Sequence, residues 1–312
     1  MRTRVLGIVF FTLVSIAATL AHAAPLQVQA VAPDVYALVG PLGQRDADNG
    51  GDNATFGAII APGGVILIDS GATPKGAALI QEALRGVTDK PVRWVINTGS
   101  QDHRWMGNAT FAAAGAQIIA LASTVREQQE QTASELQVLD MLLASEAKGL
   151  RPMTSPSPLP GDTATLDLGG VRLQLRSFGG GHFPGDAVVW YPARRIAFSG
   201  DLVFADRLLA VLNGGGRADR WAQSFRSFAS ALKPEIIVPG HGRPCSLATA
   251  QAETGDYLDW LVREVRPAAQ NLDPLEQTVR RLHAAAPESV RKLVNFDQID
   301  PGNINRVYLE FQ

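Results

Sequence analysis

The sequence holds five histidines, and three of them, His103, His182 and His241, stand in glycine-rich or polar segments that follow apolar runs. A histidine kept for packing more often lies on a helix or strand face, so this placement points to chemistry. Aspartates accompany them. Asp102 precedes His103, Asp186 follows His182 by four residues, and Asp201 closes Ser199-Gly200-Asp201. Imidazoles and carboxylates together make a donor set for zinc or another borderline divalent ion, whereas calcium would call for oxygen throughout. Any one of these aspartates alone would serve equally as a turn cap; it is the set that argues for metal. His22 falls in an apolar N-terminal stretch and His283 in a helical C-terminal one, and both are read as having no part in the chemistry.

Donors of this kind need rigid positions, which strand ends supply. The run Val65-Ile66-Leu67-Ile68, closed by Asp69-Ser70-Gly71, reads as a buried strand and its turn, with strand-like segments at 35–39 and 57–60 before it. Helical spacing over 75–85 ends at Gly86, and 92–96 is a strand leading into Asn97-Thr98-Gly99-Ser100. A strand at 118–121, a helix over 124–147 and a proline-rich connection at 152–160 follow. Four strand-like segments come next, at 163–168, 171–177, 187–191 and 196–199, then a helix at 220–231. The strand 236–238 ends at Pro239-Gly240-His241-Gly242, and from about 247 the chain is mainly helical. Two strand-rich halves with helices outside predict an α/β layered sandwich in one domain, with the site in the gap between the halves. Specificity would come from the loop 43–55 and the helix 124–147.

Residues 97–111, NTGSQDHRWMGNATF, resemble the first motif of the metallo-β-lactamase family, H-x-H-x-D-H followed shortly by Gly-Asn. Gly-Gly-His182-Phe-Pro-Gly-Asp186 resembles its second histidine motif, Ser199-Gly200-Asp201 its bridging-acid motif, and Val238-Pro239-Gly240-His241-Gly242 its last histidine motif. The resemblance spans about 31–244 and implies a four-layer αβ/βα sandwich with metal at the edge between the sheets. It implies Asp102, His103, Asp201 and His241 as the ligands of one metal site, with His182 as a further candidate. Aligning the family's Asp-His on Asp102-His103 puts Thr98 and Ser100 where two histidines of the other site should stand. One zinc, or another divalent ion, per chain is therefore expected. The expected chemistry is attack by a metal-bound water whose pKa falls from 15.7 toward about 7, with Asp102 and His182 as catalytic residues and His182 as base or substrate donor. Phe204-Ala205-Asp206-Arg207-Leu208 is similar to the exported zinc metallohydrolases associated with bacterial quinoprotein systems.

The N-terminus carries Met-Arg-Thr-Arg, an apolar run from Val5 to Val14, and Ala21-His22-Ala23 before Ala24-Pro25. That pattern is a secretory signal peptide over 1–23, too short in its apolar part for a comfortable membrane span. It leaves 24–312 as a single metallo-β-lactamase-like domain with a helical C-terminal extension, periplasmic or secreted and without a stable membrane anchor. The lone cysteine, Cys245, excludes an intramolecular disulfide and is read as a small, half-buried side chain. With 46% hydrophobic and 19% charged residues the chain can bury a sizeable core, and a net charge of −2 offers no footprint for nucleic acid.

Two functions fit these residues. One is an exported metal-dependent hydrolase opening an ester, lactone, thioester or amide of a small-molecule substrate. The other is a non-catalytic metal- or ligand-binding protein on the same fold. An iron oxygenase relying on the three-histidine site is disfavoured, because that is the site lacking histidines.

Overall fold

The computed structural model describes residues 26–143, 147 and 149–312; the expected signal peptide, residues 1–23, lies outside them. Among the described residues, the first sheet has six strands in sequence order, β1 (Gln27–Ala32), β2 (Val35–Val39), β3 (Thr55–Ala61), β4 (Gly64–Ile68), β5 (Val92–Ile96) and β6 (Gln117–Ile119). The β1–β4 neighbours are antiparallel and β4–β5–β6 parallel. The second sheet has five strands, β7 (Thr163–Leu168), β8 (Val171–Ser177), β9 (Ala187–Tyr191), β10 (Ile196–Phe204) and β11 (Ile236–His241), in the order β11-β10-β9-β8-β7. Only its β10–β11 pair is parallel.

The unbroken aliphatic run of β4 has a simple cause: both of its faces are buried. Ile66 and Ile68 face the second sheet and pack with Leu173, Leu175, Val189 and Phe198. Val65 and Leu67 face outward against Ala77, Ile80 and Leu84 of helix α1 (Pro74–Arg85). That helix starts where Thr73 Oγ1 accepts from Gly76 N at 3.0 Å, with Pro74 in the first turn where its missing N–H costs nothing. Beyond the second sheet, Val188, Trp190 and Ala197 meet Trp221, Phe225 and Phe228 of α5 (Ala218–Leu232). The spacing of those aromatics puts them on one helical stripe. The result is helix, sheet, sheet, helix, the four-layer sandwich expected. The sheets approach so closely at β3 that a Cβ on Gly57 would lie 2.3 Å from the Phe198 ring, so only glycine fits there.

Between the sheets in sequence lie two short helices, α2 (Asp102–Trp105) and α3 (Asn108–Ala113), and the long α4 (Ala122–Leu143). After β11 come α6 (Leu247–Ala250), α7 (Asp256–Gln270), α8 (Leu275–Ala285), α9 (Glu288–Arg291) and α10 (Phe296–Phe311). Tyr257, Leu261, Ile304 and Tyr308 of α7 and α10 join the outer core of the second sheet. None of the described helices is long and apolar enough to cross a membrane. One strand differs in a way that matters for the site. The segment expected at 196–199 continues to Phe204, and its pairing with β11 slips on both sides of Gly200, whose φ is +51°. Asp201 thus sits within an irregular strand rather than on a terminal loop, the kind of local bulge that re-aims a side chain.

Candidate metal centre

The first motif leaves β5 at Ile96 and enters α2 at Asp102. Thr98 turns toward the end of β4, donating from its N and Oγ1 to Asp69 Oδ1 and Oδ2, both at 2.7 Å. Ser100 is fully buried, and its carbonyl accepts from Trp105 Nε1 at 2.8 Å. Gly99, Gln101 and His103 are turned away from Asp69, toward groups of the second-sheet half. A Cβ on Gly99 would stand 2.7 Å from Asp186 Oδ1, Gln101 Oε1 lies 3.1 Å from His182 Nε2, and His103 lines the same cavity as Gln101. Laid on the residues turned toward groups of the second-sheet half (Asp186, His182 and Asp201), the H-x-H-x-D-H spacing falls on Gly99, Gln101, His103 and Arg104. The alignment expected from sequence is therefore one residue out of step: Thr98 and Ser100 are not the positions lacking histidines.

Three of the expected ligands do come together. His103 from α2, Asp201 from β10 and His241 from the end of β11 present donor atoms all within 4.8 Å of one another. Gly240 lets Asp201 and His241 lie this close, since a Cβ there would fall 2.5 Å from Asp201 Oδ1. The ring orientations are informative. His241 Nδ1 lies 2.9 Å from the Asn53 carbonyl, which can only accept, so Nδ1 carries the proton. Its Nε2 lone pair then faces Asp201 Oδ1 at 3.3 Å. His103 is arranged alike, with Nδ1 3.1 Å from Asp102 Oδ1 and Nε2 3.3 Å from Asp201 Oδ2. Two ring nitrogens aimed at one carboxylate are held there by a proton or a cation lying among them. Two imidazoles and a carboxylate are also a three-donor set that leaves positions open on a divalent ion. The residues present fit such an ion.

Asp102 is not part of this group. Its Oδ1 accepts from Arg45 Nη1, from its neighbour's amide at 2.6 Å and from the His103 ring, on the side away from Asp201. The direct ligand and catalytic roles expected for Asp102 do not suit this placement; it orients His103 instead, as carboxylates behind metal-bound histidines do. His182 is set apart too. It is packed among Phe183, Phe204 and Trp221, with ring centroids at 5.1, 5.8 and 5.2 Å, and is absent from the three-donor group.

Burial and charge then fix the protonation states. Burial pushes His182 down to about 4 and His241 down to about 3, so both rings are neutral at pH 7. For His103, burial and the Arg104 charge act downward, but the Asp201 charge and hydrogen bonds to Asp102 and Asp201 outweigh them and raise it. Burial would raise Asp201, yet the Arg104 and His103 charges hold it well below the carboxylate range. Asp186 moves the opposite way, driven well up by burial and by the Asp201 charge. Glu135 of α4 is raised to about 8 by burial and then by the Asp102 charge.

The three histidines line a cavity of about 430 Å³. The loop and helix expected to set specificity reach it, through Gln44, Arg45 and Asn53 on one side and Gln131, Ser134 and Glu135 on the other. Arg207 also lines it, 6% exposed, with one long hydrogen bond to Gly43 O at 3.3 Å. Sequence reasoning passed over Arg104, Glu135 and Arg207 as site residues. The signal available for Arg104 was its place directly after His103 in an otherwise apolar stretch, His-Arg-Trp-Met.

The family model described as the metallo-beta-lactamase superfamily matches residues 50–241, which include every residue of the three-donor group. A metallo-beta-lactamase type 2 from Bacteroides fragilis is 29% identical over 83 residues, 26% of this chain, and the match spans only a third (33%) of that relative's length. Among solved structures, a metallo-beta-lactamase from Pontibacter korlensis aligns with TM-score 0.59 and 18% identity over 75% of this chain and 99% of its own. The DIM-1 metallo-beta-lactamase exposed to ceftazidime aligns with TM-score 0.57 and 18% identity over 75% of this chain and 96% of its own. At that identity the structures speak for the fold alone. The sequence match, the four layers and the donors gathered where the sheets meet agree, and the chain belongs to the metallo-β-lactamase superfamily.

Proposed function

We propose that this protein is an exported hydrolase that uses one zinc ion, held by His103, Asp201 and His241, to open an ester, lactone, thioester or amide of a small molecule. The observation that carries the reading is the pair of imidazole Nε2 atoms turned on Asp201 beside a cavity. Bound there, the ion supplies a Lewis acid that lowers the pKa of water toward about 7. The chain's own residues supply the rest. His182 is neutral, its Nε2–H is held by Gln101 Oε1, and its buried Nδ1 has no partner among the described residues, which leaves that lone pair as the proton acceptor nearest the ion. Arg207, desolvated and without a carboxylate in contact among the described residues, gives the cavity a positive charge for a polarised carbonyl oxygen. Asp102, tied to Arg45, keeps the His103 ring turned toward Asp201.

One observation favours the second reading, a metal- or ligand-binding protein without turnover: both carboxylate oxygens of Asp201 already accept from Arg104. Hydrolysis of a panel of esters, lactones, thioesters and amides by zinc-loaded and chelated protein separates the two. The hydrolase reading expects zinc-dependent turnover that falls at least about 100-fold in His182→Ala, the scale of one lost acid–base group. Zinc binding with no turnover on any substrate would favour the binding protein. The export part rests on residues 1–23, and mass analysis of the protein recovered from a Gram-negative periplasm should find them removed.

A further inference from the structure

One wall of the cavity beside the three-donor group belongs to no helix or strand. Residues 208–212 run between β10 and α5 without regular structure; Leu209 and Val211 pack into the outer core of the second sheet, while Ala210 and Leu212 line the cavity. The backbone of such a segment must still find partners, and it finds them in the C-terminal part of the chain. Leu208 N donates to Val294 O at 3.0 Å, Val211 N to Asn303 Oδ1 at 2.7 Å, and Asn303 Nδ2 to Leu209 O at 2.8 Å. A peptide N–H only donates and a carbonyl only accepts, so the Asn303 amide has one orientation. It stands where the peptide group of a neighbouring strand would stand, and it determines which residues of the wall face the cavity.

Asn303 is itself held from behind. Its Nδ2 also donates to Tyr257 Oη at 3.1 Å, the Tyr257 hydroxyl donates to Asp300 Oδ1 at 2.6 Å, and Asp300 Oδ2 accepts from His283 Nδ1 at 2.8 Å. Asn303, Tyr257 and Asp300 are buried, and the chain ends at the partly exposed His283 ring, stacked on Phe296. Apolar side chains would fill this space without the cost of burying a carboxyl and an amide; what directional bonds add is position. We propose that Asn303 is a positioning residue for the substrate cavity: with the Tyr257–Asp300–His283 chain behind it, it holds 209–212 in one register, so the C-terminal helices are part of the substrate site. The inference rests on the reading of this cavity as the substrate site. A slip of one residue would turn Leu209 and Val211 to the cavity in place of Ala210 and Leu212, because an extended chain alternates sides.

The test is hydrogen exchange of the zinc-loaded protein, read by mass spectrometry over peptides covering 205–213, together with zinc affinity and the kinetics of p-nitrophenyl butyrate hydrolysis. The variants are Asn303→Leu, Tyr257→Phe, His283→Leu and His283→Asn. Asn303→Leu should exchange at least about tenfold faster over this segment, as a wall that opens locally without its side-chain partner would. Its KM should rise at least about fivefold with kcat within about twofold and zinc affinity unchanged, the pattern of lost uniform binding. Tyr257→Phe removes a single oxygen from a packed ring and is the variant best able to fold; it should show the same pattern at about threefold in exchange. His283→Leu should follow Tyr257→Phe, and His283→Asn, whose amide can donate in place of Nδ1, should recover most of the loss. The proposal is overturned if Asn303→Leu and Tyr257→Phe exchange over 205–213 as the wild type does, or if kcat and zinc affinity fall along with KM, the mark of general loosening. Where Asn303→Leu does not fold, Tyr257→Phe against the wild type decides. Faster exchange in both variants with no ester hydrolysis by any form, wild type included, would count against the hydrolase reading and leave the positioning of the wall by Asn303 standing.

Discussion

The two walls of the cleft are built differently. On the second-sheet wall, Asp201 and His241 ride on adjacent, paired strands, with Gly200 and Gly240 removing the side chains that would hold them apart. On the first-sheet wall the motif is a short connection from β5 into α2, where Gly99 and Gln101 offer no imidazole and Arg104 brings a positive charge. The second wall matches its family motifs and the first departs from its own at four positions. Donors fixed by strand pairing define where an ion can sit, and the connection opposite determines how many ions there can be.

The largest effect expected from breaking this asymmetry is His241→Ala. It removes a donor from the strand-held wall, leaves a two-donor sphere and should abolish zinc binding in a chelator-competition titration. His182→Ala, outside the donor group, should weaken zinc by at most about 100-fold, the range for residues that act behind the ligands. Equal loss in the two variants would place the ion between the walls. Asp102→Asn is the next step down. As the partner of the His103 ring it should cost about tenfold in zinc affinity. A loss as complete as that of His241→Ala would return Asp102 to the ligand role that its sequence position first suggested.

Smaller and confined to a pH window is Glu135→Gln. The Glu135 carboxyl is raised from 4.5 to about 8 in the fold, so its neutral form is the favoured one. Its contribution is complete below pH 4.5 and is lost as pH rises through about 8. Glu135→Gln, neutral throughout, should therefore melt higher than wild type above about pH 8 and match it near pH 4.5. Parallel melting curves across the range would contradict the assignment. The smallest effect concerns Cys245, whose thiol burial pushes up to about 12. Alkylation of the folded protein at pH 8 should be far slower than that of the unfolded chain, as measured by intact mass; equal rates would show the thiol to be open.

Much of this architecture was legible in the sequence, and the part that was not has a local cause. Continuous aliphatic runs such as Val65–Ile68 could only be strands buried on both faces, and the segments at 163–168, 171–177 and 187–191 match β7, β8 and β9. His103, Asp201 and His241 were visible because glycine-rich turns after apolar runs mark strand ends near a cleft. The error lay in the first motif. Asp102-His103 reads as the family's Asp-His pair, but side-chain direction along 97–104 is set by contacts no spacing reveals: Thr98 turns to Asp69, and Gln101 turns to His182. Arg104 escaped notice because an arginine in sequence looks like surface, and only the fold shows it buried with every donor used.

The central claim, one ion on His103, Asp201 and His241 with no imidazole at Gly99 or Gln101 to hold a second, is tested most directly by counting metal. Elemental analysis of the purified mature protein after zinc reconstitution and removal of loosely held ions should find one equivalent per chain. Two equivalents would show that the first-sheet wall holds a second ion without those imidazoles, and none would mean that the ring nitrogens facing Asp201 meet a proton rather than a metal.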